Sequence, residues 1–287
     1  IDSVESSATN DDAKLTLTIP DIGTFGIFLG EGGLGVDNAA SQSVISRPSD
    51  TSYSEGMTDT YDIDGQDNIQ YHTPAGLLPL GATFKIGHAP SAGGTAANDF
   101  KATGSTNDRV ATPDTASAGG ITLDGGGASA TQYQLKLTEI PFAEGLTLGA
   151  DYMEFSGTLN STEQAPESGA YYATYAVGPA VIGYNKSFAT LAVNSLTTEQ
   201  VEQVENTKFS IGVNVNENLS VSYEEEESEP KTQENATTQY TLTSSGIQAA
   251  YTMGGMTIGV AMNDHENAAY TQNKDVKDTV FTVEMAF

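Results

Sequence analysis

Alternation of apolar and polar residues, repeated in about thirteen segments, constrains this chain more than any other feature. The last segment shows it plainly. Thr279, Phe281, Val283, Met285 and Phe287 fall on one face of a strand, and Val280, Thr282, Glu284 and Ala286 on the other. Gln132 to Thr138 repeats the pattern, with Tyr133, Leu135 and Leu137 against Gln132, Gln134, Lys136 and Thr138. A period of two fits strands and no helix. One face is apolar and the other Gln, Lys, Thr, Ser, Asn and Gly. A soluble barrel would put the apolar face inside. A barrel spanning a bilayer puts it outside, around a wet interior, and closes on an apolar, aromatic-ended strand.

The predicted strands are Lys14 to Ile19, Thr24 to Gly30, Asn68 to Thr73, Ala82 to His88, Gln132 to Thr138, Leu146 to Phe155, Ala170 to Val177, Val181 to Phe188, Lys208 to Val215, Leu219 to Glu225, Gln239 to Met253, Met256 to Asn263 and Lys277 to Phe287. Turn residues punctuate them: Pro20 to Gly23, Gly178-Pro179, Asn216 to Asn218 and Gly254-Gly255. Short connections alternate with long polar ones, above all Glu31 to Asp67 and Ala89 to Ala130. That segregation matches periplasmic turns and extracellular loops. Tyr and Phe recur near strand ends (Tyr71, Phe84, Tyr133, Tyr152, Tyr184, Tyr223, Tyr251, Phe287), as interfacial girdles require.

Composition narrows the function classes. Hydrophobic residues make up 38% of 287, and no run reaches the ~20 apolar residues of a membrane helix. With 38 acids against 11 bases the net charge is −27, which argues against nucleic-acid binding. Cysteine is absent, excluding disulfides and thiolate metal sites and fitting export through an oxidising compartment. Tyr61 to Asp67 resembles a calcium loop only faintly, lacking the spacing and the closing Glu. The run Glu224 to Glu227 with Glu229 is read either as a solvated strand end or as a divalent-cation site at the outer rim. His72, His88 and His265 are scattered, and no nucleophile motif or phosphate loop is visible, so no catalytic residues and no enzyme activity are assigned.

The segments Phe209 to Tyr223 and Gly246 to Gly254, with the terminal Phe287, resemble the general diffusion porins of Gram-negative outer membranes, and most of all porins of marine, SAR11-type alphaproteobacteria. The resemblance covers the second half in wording and the first half in layout. It implies one barrel domain over residues 1–287, with about 16 strands in the whole protein and a long loop folded into the pore. If 31–67 is that loop, the strand before it is the fifth and the last is the sixteenth, so about three strands would precede Ile1. The resemblance also implies an outer-membrane location, a homotrimer, contact with outer-membrane lipid and lipopolysaccharide, and passive diffusion of small hydrophilic solutes without a cofactor. Weak Ca2+ binding at the acidic loops and a phage-receptor role for the long loops are further expectations.

In that family, basic wall residues face acidic residues of the pore loop, and the resulting field filters solutes. The candidates here are Asp37, Asp50, Glu55, Asp59, Asp62 and Asp64 from the loop, and Lys14, Lys85, Lys136 and Lys208 from the wall. Asp151, Glu224 and Glu284 would add to a mild cation preference. A substrate-specific channel and a soluble, secreted β-rich adhesin or structural protein are the alternatives.

Overall fold

A computed structural model describes residues 13–50, 57, 59–90, 129–156, 166–190, 201–232 and 240–285. Thirteen strands form one antiparallel sheet, each paired with its neighbours in the sequence. They are β1 (Ala13–Ile19), β2 (Gly23–Leu29), β3 (Asn68–His72), β4 (Thr83–Ala89), β5 (Ser129–Leu137), β6 (Leu146–Ser156), β7 (Glu167–Val177), β8 (Ala180–Thr190), β9 (Val201–Asn214), β10 (Leu219–Thr232), β11 (Leu242–Met253), β12 (Met256–Glu266) and β13 (Val276–Met285). Sequential pairing of this kind needs only hairpin connections. The tight hairpins use positive-φ glycines, as at Gly178 and Gly254.

Every predicted strand is present, and most boundaries agree within a few residues. The exceptions are β9, which starts seven residues before Lys208, and β10, which runs seven residues past Glu225. Both extensions are mostly polar, with Val201 and Val204 the apolar exceptions in β9, so little hydropathy alternation marks them, yet their ladder is continuous as far as Lys231↔Gln203.

The two faces differ as the alternation requires. Leu15, Leu17, Phe25, Ile27, Phe209, Ile247, Ile258, Phe281 and Val283 are exposed on the outside. Gln132, Ser168, Asn185, Asn206, Ser210, Ser222, Ser244 and Gln248 are buried on the inside. An exposed apolar face on a sheet with a buried polar face inverts the soluble arrangement and matches a sheet solvated by lipid. No described helix is long and apolar enough to cross a membrane.

What buries the polar face is the segment between β2 and β3. It leaves β2 and runs across the inside of the sheet, meeting Gln134 and Gln132 of β5, Ser168 of β7, Ser210 of β9, Ser222 of β10 and Gln248 of β11. One segment can touch strands so far apart in the ladder, all on one face, only if the sheet curls around it.

Candidate functional site

The inner segment is seated by three kinds of contact. Its two ends form a small apolar core in which Leu34, Tyr61 and Ile63 pack with Ala89, Ala130, Met153 and Phe155 of the wall. Tyr61 meets the Phe155 ring edge-on at 5.4 Å between centroids. Asp62 ties the ends together by accepting from the backbone N–H of Leu34 and of Gly35. Burial pushes the Asp62 carboxyl up, against these hydrogen bonds.

The middle lies against small residues. A Cβ on Gly183 would collide with the Ala40 carbonyl, one on Gly212 would meet the Gln42 carbonyl at 3.1 Å, and one on Gly259 would meet Ile45 at 2.8 Å. Glycine at these inward positions lets backbone lie directly on the wall. Polar side chains of the wall then serve that backbone. Ser210 Oγ donates to the Ala40 carbonyl at 2.7 Å, the Val44 N–H donates to Ser222 Oγ at 3.1 Å, and Gln248 Oε1 accepts from the Ile45 N–H at 2.9 Å.

The third contact is a buried charge cluster. Arg47 Nε donates to Glu226 Oε1 at 2.7 Å, Arg47 Nη2 pairs with Asp59 Oδ1 at 3.1 Å, and Nη1 donates to Asn38. Lys208 Nζ reaches Asp37 Oδ2 at 2.6 Å and Asp59 Oδ1 at 3.1 Å. The Ser49 N–H donates to the second oxygen of Glu226 at 2.8 Å. Ser41 and Ser43 both donate to Glu224 Oε2. Burial alone would push Asp59 up, but Lys208 and then Arg47 outweigh it and hold its carboxyl well below the usual range. Asp37 is instead pushed up to about 6, by burial first, with Lys208 opposing and Asp59 adding to the rise. Burial would lower Arg47, but Asp59 and Glu226 more than compensate and keep it charged.

Of the candidates read from the sequence, Asp37, Asp59 and Lys208 therefore meet in one cluster, with Asp50 3.9 Å from Arg47 at its edge. Asp62 braces the ends, and exposed Asp64 lends its N–H to Asp62. Lys14, on β1 at the edge of the sheet and apart from the cluster, pairs with Glu31 at 3.6 Å. Lys85 and Lys136 sit on the inner face of β4 and β5, diagonal across the pair Lys85↔Gln134, away from the cluster. Glu55 and Phe287 lie outside the described residues. Asp151 is buried beside Gln132 at 3.2 Å, and Glu284 is exposed.

The acidic run on β10 is not one patch. Glu224 and Glu226 point inward and hold the inner segment, while Glu225, Glu227 and Glu229 are exposed outside. The central roles of Arg47 and Glu226 escaped the sequence reading. Parity could have placed Glu226, because it shares a face with Ser222 and Glu224.

No protein-family model matches the chain, and no curated protein matches its sequence. Solved structures do match in fold. OmpF of Salmonella typhi, solved with daunomycin, superposes with a TM-score of 0.59 at 14% identity, covering 94% of this chain and 76% of its own. An anion-selective porin from Comamonas acidovorans gives 0.58 at 9%, covering 96% and 77%. Outer-membrane OmpT of Vibrio cholerae gives 0.54 at 10%, covering 95% and 79%. The chain thus has the antiparallel β-barrel fold of the porins.

Proposed function

We propose that the chain is an outer-membrane channel for passive diffusion of small hydrophilic solutes and ions, narrowed by the segment 31–67 and mildly cation-preferring. The observation that carries this reading is the inner segment itself, fastened to a polar wall whose outer face is apolar. A wet lumen with a fixed obstruction is a filter by size, and its charges filter by sign. Three carboxylates (Asp37, Asp59, Glu226) face two cations in the cluster. On a chain of net charge −27 the balance favours cations.

The contrast between strands supports a homo-oligomer, a trimer by resemblance. β1 to β4 have 5 to 7 residues, whereas β6 to β12 have 11 to 14. Seven residues rise only ~24 Å along the strand, and tilt leaves that short of a ~25 Å apolar band. The low wall carries exposed Leu15, Leu17, Phe25 and Ile27, which a neighbouring subunit would cover. The wording of Phe209 to Tyr223 favours a marine alphaproteobacterial source.

Purified chain in planar bilayers should give stepwise, ohmic conductance and a reversal potential on the cation side in a salt gradient. No steps would remove the channel reading, and anion selectivity would remove the charge argument.

A further inference from the structure

On the inner face of β11, β12 and β13, beside the inner segment's charge cluster but outside it, three side chains from three strands come together. His265 Nδ1 lies 2.9 Å from Ser244 Oγ, and His265 Nε2 lies 3.6 Å from Asp278 Oδ1. The His265 and Asp278 side chains are 1% and 4% exposed. His265 Nε2 and both Asp278 oxygens are buried and make no hydrogen bond among the described residues. Buried polar atoms are nearly always satisfied, and a buried carboxylate without a partner is costly. The 3.6 Å separation is too long for a direct hydrogen bond, which leaves a gap that a bridging ion can fill.

Its chemistry follows from the two faces of the gap. If Nδ1 keeps its proton and donates to Ser244, Nε2 presents a lone pair. It then faces a carboxylate oxygen, and two acceptors are bridged by a cation. A hydrogen-bonded partner on the far nitrogen is the usual way a metal-binding imidazole has its tautomer fixed. Two ligands each ~2.1 Å from an ion and 3.6 Å apart subtend about 120° at it, close to a tetrahedral metal's angle. An imidazole with a carboxylate suits borderline divalent ions better than Ca2+ or Mg2+. No group of three or more His, Asp or Glu side chains surrounds the place among the described residues, so the remaining positions of a bound ion would fall to water.

We propose that His265 and Asp278 bind one divalent transition-metal ion of the Zn2+ class in the lumen wall, with Ser244 as the positioning residue. The site is independent of the channel reading. It lies in the same cross-strand row as the inner segment's anchor, since Lys208, Glu226, Ser244 and His265 are successive ladder partners. An ion here would place a double positive charge two strands from Glu226.

The test uses the full chain, folded in detergent and stripped with a chelator. Titration with Co2+ should give one equivalent with visible d–d absorption, displaced by Zn2+. His265→Asn and Asp278→Asn should each weaken binding at least tenfold, and Ser244→Ala about tenfold. Asp264→Asn, on the outer face where Asp264 pairs with Lys277, should leave it unchanged. X-ray absorption of the Zn2+-loaded wild type should show one imidazole nitrogen among oxygen ligands, which holds the test open if a variant fails to fold. No stoichiometric binding by the wild type, a shell without imidazole, binding of Ca2+ in place of Zn2+, or binding unaffected in both folded variants would each overturn the proposal.

Discussion

Arg47 carries its guanidinium to a place where Glu226, Asp59 and Asn38 all accept from it. Removing it leaves the charge of Glu226 buried without its hydrogen-bonded counter-ion, which costs up to about 3–5 kcal/mol where a buried pair is broken from one side. Arg47→Ala should therefore loosen the inner segment, raising single-channel conductance and its noise. The double change Arg47→Met with Glu226→Leu should restore a quiet channel, because the stranded charge is gone. Asp37 and Asp59 predict a pH response of unusual shape. An unfolded Asp titrates near ~3.9. Asp59 lies well below that when folded, so its contribution to stability is present above ~3.9 and lost as pH falls through its folded value. Asp37 is raised to about 6, so its charge costs stability above that pH and it takes up a proton first. Between pH 7 and 5 the segment should stay seated while the cation preference falls with a midpoint near 6. Reversal potentials against pH would show it, and Asp37→Asn should flatten the curve.

Elements differ in how openly the sequence announces them. β5, β12 and β13 alternate apolar and polar residues and are read at once. The upper halves of β9 and β10 alternate only in where they point. Glu225 and Glu226 are chemically alike, and one is exposed while the other is buried. The seat of the inner segment was illegible for a different reason. Its hydrogen-bond partners on β5 to β11 are chosen across 69 to 205 residues, as in Ile63 with Gln132 and Gln248 with Ser43. Periodicity reports a residue's face and says nothing of its partner. The same holds for His265, isolated in sequence but paired with Ser244 in the ladder and diagonal to Asp278 across the β12–β13 pair. Gly183 gives the element-scale prediction. Gly183→Val pushes a side chain into the Ala40 carbonyl and should cost about 1–3 kcal/mol of overpacking. The sheet should survive, with unchanged far-UV circular dichroism, while protease sensitivity appears near residue 40.

At the scale of the molecule, the wall is low along β1 to β4 and tall along β9 and β10, where 14 residues rise ~48 Å. The tall side carries its exposed glutamates above the apolar band and can stand alone in lipid. The low side cannot. Cysteines placed at Leu17 or Ile27, in a chain with no cysteine of its own, should cross-link copies in detergent. Cysteine at Phe209, on the tall side, should not. The barrel itself was readable from thirteen alternating segments, because lipid outside and water inside impose one pattern on every strand.

The partners of the inner segment also set an order of events. Residues 37–49 emerge early from synthesis, yet their seats on β9, β10 and β11 are the last third of the chain. Closing loops of that length is entropically slow, and no contact repays it until those strands are in place. Docking of the segment is therefore the closing step of assembly. A chain interrupted before β10 would carry an undocked arm, open to proteolysis.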